Sequence, residues 1–228
     1  MKLVHDVYDL FFPRYCAGCD NALLKNEKVL CLSCMHALPL AHFTDHADNP
    51  IEKIFYGRAN LEAATALLYY MPKGISQKLI YGIKYKGIQE TGTFLGNMLA
   101  LEIQNAERFS NIDCIVPVPL DKLKMKKRGY NQLTTFGNAL SANLGVPFVD
   151  NKLIRIKAAG SQTKKNRLER WKALSGQFKV DDISYFDNKH VLLIDDVITT
   201  GATLEACIVA LEYSKNTKVS VAAMAFTE

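Results

Sequence analysis

The stretch VLLIDDVITTGATL, residues 191–204, combines residue types that could bind a sugar phosphate. Asp195 and Asp196 follow an apolar run directly, and two adjacent carboxylates can accept hydrogen bonds from the vicinal hydroxyls of a ribose. The next residues supply hydroxyls and a flexible backbone, at Thr199, Thr200, Gly201, Ala202 and Thr203. A helical pattern begins there, and the N-terminal amides and dipole of a helix favour an anion. The spacing therefore predicts acids for a diol beside a loop for a phosphate.

The apolar run itself is typical of a strand buried on both faces of a sheet. Ligands of open α/β sheets bind at the carboxyl ends of strands, where Asp195 and Asp196 would lie. The alternative is an ordinary strand, turn and helix, in which the aspartates cap and the threonines turn. Either half of the motif alone would fit that alternative, but the combination is more specific.

Strands and helices alternate along the rest of the chain, which predicts an α/β fold with a parallel sheet covered by helices on both faces. The predicted strands are 61–70, 112–120, 152–156, 190–197 and 218–226, and the predicted helices are 74–87, 91–104, 130–145 and 202–214. Three parts are expected: a cysteine-rich module over residues 1–40, a polar linker with little regular pattern over 41–58, and the α/β domain over 59–228.

Four cysteines near the N-terminus have the spacing of a metal site, two C-x2-C pairs separated by eleven residues: Cys16, Cys19, Cys31 and Cys34. Such pairs supply four thiolates that close a tetrahedron on Zn²⁺ and leave no open position, so the predicted zinc is structural. Free thiols or a redox pair are the alternative. Cys114 and Cys207 lie in apolar patterns and are interpreted as ordinary buried residues.

The bulk composition sets limits on the class of protein. With 228 residues, 49% of them hydrophobic, and a formal charge of +5, the chain predicts a packed core and is compatible with an anionic ligand without indicating nucleic acid. No apolar run reaches the length of a membrane span, and no secretory cleavage pattern is present. A cytoplasmic protein without membrane insertion is expected.

Basic residues cluster at Lys122, Lys124, Lys126, Lys127 and Arg128. Most of them are interpreted as a solvated face, but Arg128 and Gly129 precede a predicted helix start and are candidates for ligand contact. Lys84 and Lys86 could reach the same anion, or could lie on a helix surface.

Residues 191–204 resemble the signature of type I phosphoribosyltransferases, which bind 5-phosphoribosyl-1-diphosphate (PRPP). The order of the cysteine pairs, KYKG, VPVPL, KKRGYNQ, SQT and LLIDDVITTGATL resembles more specifically the ComF family, competence-related phosphoribosyltransferase-like proteins of bacteria. The resemblance implies a type I phosphoribosyltransferase-like sheet with a small N-terminal zinc module. It assigns the ribose hydroxyls to Asp195 and Asp196, and the 5-phosphate to residues 199–203. The loop around 116–120 would face the diphosphate, together with Arg128 and Lys84.

The same resemblance implies Mg²⁺ with PRPP, and a mobile loop that closes over the substrate through Gln162, Lys164 and Arg167, with Arg170 as a further candidate. That segment is equally a basic surface for single-stranded nucleic acid, although Trp171 is better explained as a packing residue. Glutamine amidotransfer needs an N-terminal cysteine nucleophile. Because Cys16 belongs to the cysteine pairs, this activity is not expected of the chain alone.

Two functional hypotheses follow from these residues together with what the ComF resemblance implies. The first is a PRPP-binding transferase with an unidentified acceptor, linked to DNA uptake and natural transformation. The second is a non-catalytic adaptor that keeps the PRPP pocket and binds single-stranded DNA or a helicase of the uptake machinery.

Overall fold

The computed structural model describes residues 13–156 and 176–228. The strands are β1 (Ala64–Tyr69), β2 (Cys114–Pro117), β3 (Leu153–Arg155), β4 (Phe178–Val180), β5 (His190–Ile198) and β6 (Lys218–Phe226). The helices are α1 (Leu32–His36), α2 (Pro50–Phe55), α3 (Ile75–Tyr85), α4 (Gln89–Gln104), α5 (Lys122–Arg128), α6 (Thr134–Leu144) and α7 (Ala202–Leu211), with short 3₁₀ turns at Glu107–Phe109 and Ile183–Phe186.

The central sheet has four parallel strands in the order β1-β6-β5-β2. Its strands are almost wholly apolar because both faces are covered, and Leu193, Val221 and Ala222 are 0% exposed. Helix α6 lies on one face, where Gly137 meets Ile194, and α4 packs against α6. Helix α7 covers the opposite face. The parallel α/β fold predicted from the alternation of strands and helices is confirmed.

The short strand predicted at 152–156 exists but lies outside this sheet. It forms β3, which pairs antiparallel with β4, so that Leu153 lies opposite Val180 and Arg155 opposite Phe178. Pattern alone reveals an extended segment but not its partner, since pairing is a tertiary property.

The segment predicted as a linker, residues 41–58, contains helix α2. The Asn49 side chain caps the helix by accepting from the amide N–H groups of Ile51 at 3.0 Å and Glu52 at 3.1 Å, and Pro50 occupies the first helical position. Ile51 and Phe55 are buried. A helix of about one and a half turns is too short to be predicted from its periodicity, but the sequence Asn49-Pro50 is typical of a helix start. The boundaries at 40 and 58 stay predictions.

Within residues 13–156 and 176–228, no helix combines the length and the hydropathy that a membrane crossing requires. The predicted closing loop, with Gln162, Lys164, Arg167, Arg170 and Trp171, lies outside the described residues.

Candidate functional site

The two adjacent acids lie in the last part of β5, at the carboxyl end of the sheet. Because they are consecutive strand residues, their side chains leave opposite faces. Asp195 shares its face with α7, whereas Asp196 shares its face with α3 and α6. The structure therefore places both acids at the predicted edge but gives them different neighbours. Their joint role in binding a diol stays a prediction.

The loop after β5 forms a small cradle with Asp195. A cavity of about 30 Å³ is lined by Asp195, Val197 and the whole segment 198–204. Gly201 adopts a left-handed φ of +70° and begins α7 as its N-cap. A Cβ there would lie 2.8 Å from Cγ2 of Ile54 and 3.0 Å from Cζ of Phe55. Glycine is required twice, for its backbone angle and for the close approach of α2.

The carboxyl of Asp195 is poorly placed to ionise. Burial raises its pKa most, the nearby charge of Asp196 raises it further, and together they bring it to about 7. The amide N–H of Asp196, which donates to Oδ1 of Asp195 at 2.8 Å, and the more distant Lys84 act in the opposite direction. A carboxyl group in a cleft whose pKa is raised this far is typical of a functional site.

Asp196 is the centre of a hydrogen-bonded network. Lys84 Nζ donates to its Oδ1 at 2.7 Å, and Gln132 Nε2 donates to its Oδ2 at 2.7 Å. Arg128 Nη1 in turn donates to Oε1 of Gln132 at 2.6 Å, while its guanidinium stacks 5.3 Å from the ring centre of Tyr85. Both predicted cations, Lys84 and Arg128, are thus brought to Asp196, one directly and one through a glutamine. The exposed Lys86 follows the end of α3.

Two residues of this region were not predicted as site residues. Gln132 is 6% exposed and joins Arg128 to Asp196, but from sequence it was only a helix start. Arg58 donates from Nη1 to the carbonyl oxygen of Thr200 at 3.1 Å, across 142 positions of sequence. No local pattern signals a contact of that range.

A larger cavity, about 550 Å³, lies at the amino ends of the strands. Its lining mixes signs of charge, with Glu62 and Asp113 beside Lys189, His190 and Lys218. Since ligands of open α/β sheets bind at the carboxyl ends, the smaller cradle at β5 is the candidate site despite its size.

The four N-terminal cysteines converge as the spacing predicts. The sulfurs of Cys16, Cys19, Cys31 and Cys34 all lie within 4.8 Å of one another. The Cys19 and Cys31 sulfurs are 3.7 Å apart, close to the ~3.8 Å that a tetrahedron with Zn–S bonds of about 2.3 Å requires. These four thiols could bind zinc.

Backbone amide groups around Cys16 favour its thiolate, whereas burial raises the pKa of Cys34. Burial opposes ionisation of Cys16, but amide N–H groups directed at its sulfur, from Cys31 at 3.3 Å and Gly18 at 3.4 Å among others, lower its pKa to about 6. A Cβ on Gly18 would lie 2.9 Å from the Cys34 sulfur, so glycine permits the tight turn. The donor set therefore fits a metal that prefers sulfur.

Cys114 and Cys207 stand apart from this cluster. Cys114 in β2 is 1% exposed, and Cys207 in α7 is 0% exposed. Burial raises the pKa of Cys114 to about 11 and raises that of Cys207 as well, which is typical of inert core thiols. Their interpretation as ordinary buried residues is confirmed.

Known structures resemble the chain weakly. A glutamine PRPP amidotransferase from B. subtilis is 15% identical with a TM-score of 0.44, covering 64% of this chain and 30% of that one. An adenine phosphoribosyltransferase from Leishmania tarentolae is 15% identical with a TM-score of 0.40, covering 79% and 88%. Since both scores are under 0.5, neither similarity supports an inference about this chain.

Sequence comparisons are more informative. Residues 134–226, which include β5, the threonine loop and α7, match the model of the phosphoribosyl transferase domain. Competence protein F of Haemophilus influenzae is 26% identical over 85% of this chain and 89% of its own length. DNA utilization protein YhgH of Escherichia coli K12 is 26% identical over 83% of this chain and 80% of its own. Together with the four-cysteine module and the Asp-Asp-threonine loop of this chain, these similarities support the ComF family of phosphoribosyltransferase-like proteins.

Proposed function

We propose that this chain binds PRPP together with Mg²⁺ at the carboxyl end of β5. One observation supports this most directly: Asp195 and the loop 199–203 line a single cradle at the start of α7. The loop would hold the 5-phosphate through its amides, the hydroxyls of Thr199, Thr200 and Thr203, and the helix dipole. We assign the phosphate to the loop and the hydroxyls to the acids because a carboxylate accepts hydrogen bonds from hydroxyls and repels a phosphate.

The ribose hydroxyls would bind the two acids. Both oxygens of Asp196 already accept hydrogen bonds, from Lys84 and Gln132, so a hydroxyl would share or replace one of these donors. A Lys84 ammonium released in this way, and the Arg128 guanidinium that donates to Gln132, would then be available to a diphosphate. PRPP binding would therefore rearrange the network rather than fill a vacant cleft.

In a transfer reaction, the bond between C1 of the ribose and the diphosphate oxygen breaks, and C1 forms a bond to a nucleophilic atom of the acceptor. The leaving diphosphate takes the bonding electrons, and Mg²⁺, when bound, neutralises part of its charge. Ionised Asp195 and Asp196 would stabilise positive charge developing on the ribose, and Lys84 and Arg128 would bind the departing diphosphate. We extend the proposal to Gln162, Lys164 and Arg167, as a loop that excludes water.

The four cysteines would hold one structural Zn²⁺, with no open position for chemistry. Thiols that must stay reduced to bind metal suit a reducing compartment, and we place the protein in the cytoplasm.

The cellular role is proposed from the relatives, whose names refer to competence and DNA utilization. A link to DNA uptake and natural transformation follows for this chain. The exposed Lys124 and Lys126 on α5 give a specific reason to keep the second hypothesis, a non-catalytic adaptor that binds single-stranded DNA or a helicase partner.

Calorimetric titration with PRPP and Mg²⁺ tests the proposal. The intact chain should bind, and Asp195→Asn with Asp196→Asn should lose at least tenfold in affinity. No binding to the intact chain would refute a PRPP site. Diphosphate release with a panel of nucleobases would support the transferase, whereas binding without release, together with a salt-sensitive shift of single-stranded DNA, would support the adaptor.

A further inference from the structure

Arg58 lies between α2 and β1. It contacts both the loop 199–203, called the phosphate loop from here on, and the first turn of α7. Its Nη1 donates to the carbonyl oxygens of Ile54 and Thr200, each at 3.1 Å, and its Nη2 donates to Oε2 of Glu205. The Glu205 side chain is 4% exposed, whereas that of Arg58 is 34% exposed. A single guanidinium thus joins the segment predicted as a linker to two parts of the candidate site.

The electrostatic consequence concerns Glu205. Its carboxylate lies in the first turn of α7, beside a loop that suits an anion, and it is buried where charges are weakly screened. Without a cation, this carboxylate would repel a bound phosphate. Arg58 supplies that cation and ion-pairs directly with the acid.

The steric consequence concerns the shape of the loop. Arg58 donates to the carbonyl of Thr200, the residue before Gly201, while Ile54 and Phe55 occupy the space that a Cβ of residue 201 would need. A carbonyl fixed on a guanidinium cannot turn towards an anion in the cradle. The loop is therefore fixed from behind by residues 54–58.

We propose that Arg58 is a positioning residue for phosphate binding, which orients the loop 199–203 and neutralises Glu205 without contacting the ligand. The proposal deepens the proposed function and rests on it for the identity of the ligand. It assigns residues 54–58, the end of α2 and the turn after it, to the binding site of the α/β domain. The ligand class is a sugar 5-phosphate.

The chain offers a matched control in Arg108. Its guanidinium also joins a carbonyl oxygen, that of His46 at 2.8 Å, to a buried carboxylate, that of Glu52 at 2.6 Å. Arg108 has no contact with the loop. Arg58→Gln and Arg108→Gln therefore remove the same chemistry, but only the first removes it from the candidate site.

Two measurements on the full-length chain test the proposal. Hydrogen exchange without ligand should be at least tenfold faster in residues 199–203 of Arg58→Gln than in the intact chain, and unchanged there in Arg108→Gln. Unchanged exchange in Arg58→Gln would overturn the proposal whatever the ligand. Faster exchange in a chain that binds no PRPP would refute the proposed function and leave Arg58 as a support of the loop.

Calorimetry then separates positioning from general stability. Arg58→Gln should bind ribose 5-phosphate and PRPP about tenfold more weakly, with inorganic diphosphate affected less than twofold. The double variant Arg58→Gln with Glu205→Gln should recover part of the loss, because the repelling charge is gone while the carbonyl of Thr200 still lacks its guanidinium. An equal loss for all three ligands, or no recovery in the double variant, would show a merely structural role and overturn the proposal.

Discussion

Replacing Gly201 with alanine should destabilise the protein more than replacing Gly145, although the two glycines have almost the same backbone angle. Their φ values are +70° and +71°. A non-glycine residue in the left-handed region costs roughly 1–2 kcal/mol, and both variants bear this cost. A Cβ at Gly145 meets nothing within 4 Å, whereas one at Gly201 meets Ile54 at 2.8 Å and the Phe55 ring at 3.0 and 3.1 Å.

The difference between the variants isolates the packing of α2 against the phosphate loop. Phe55 is 1% exposed and has little room to move, so overpacking should add about 1–3 kcal/mol. We expect a loss of about 1–2 kcal/mol for Gly145→Ala and about 2–5 kcal/mol for Gly201→Ala. For a chain of this size each kcal/mol lowers Tm by about 2–4 °C.

Urea unfolding at a fixed zinc concentration measures both losses, with the denaturant slope checked for each variant. The double variant Ile54→Ala with Gly201→Ala should lose about 1 kcal/mol less stability than the two single variants lose together, because the nearest clashing methyl is absent. Gly201→Ala should also weaken PRPP binding, and Gly145→Ala should leave it intact. Equal losses in the two single variants would refute the assignment of α2 to the loop.

Three further predictions follow from the site. The pKa of Asp195 is raised to about 7, so its ionisation opposes folding as pH rises from about 4 through 7. In urea unfolding, Asp195→Asn should therefore stabilise the chain at pH 8 but not at pH 4. The affinity of the intact chain for PRPP should rise between pH 6 and 8. Elemental analysis should find one Zn²⁺ per chain. The zinc should be lost in Cys31→Ser and kept in Cys114→Ser, because Cys31 belongs to the four-cysteine cluster and Cys114 does not. Lys84→Met should cost about 1–3 kcal/mol by leaving Asp196 without its ammonium, a figure reduced from that of a fully buried pair because Lys84 is 21% exposed; a loss below 0.5 kcal/mol would contradict the ion pair.

Much of the site was legible in the sequence because its parts are local. The apolar run, the two acids and the loop lie within 14 consecutive residues, 191–204, and a parallel strand must deliver them to one edge of the sheet. The cysteine pairs are likewise local, and their spacing sufficed to bring four sulfurs together. Lys84 was predicted near an anion but found on an acid, because sequence gives the sign of a charge and not its partner.

The sequence by itself determined the elements, the edge of the sheet where the acids lie, and the donor set of the candidate metal site, since each depends on periodicity or short spacing. Only the tertiary structure decided that Asp195 and Asp196 face different neighbours, that Gln132 joins Arg128 to Asp196, and that Arg58 and Phe55 support the loop from behind. Gln132 and Asp196 are 64 positions apart, and Arg58 and Glu205 are 147 positions apart. Such contacts form only when the core brings their elements together, and no local propensity encodes them.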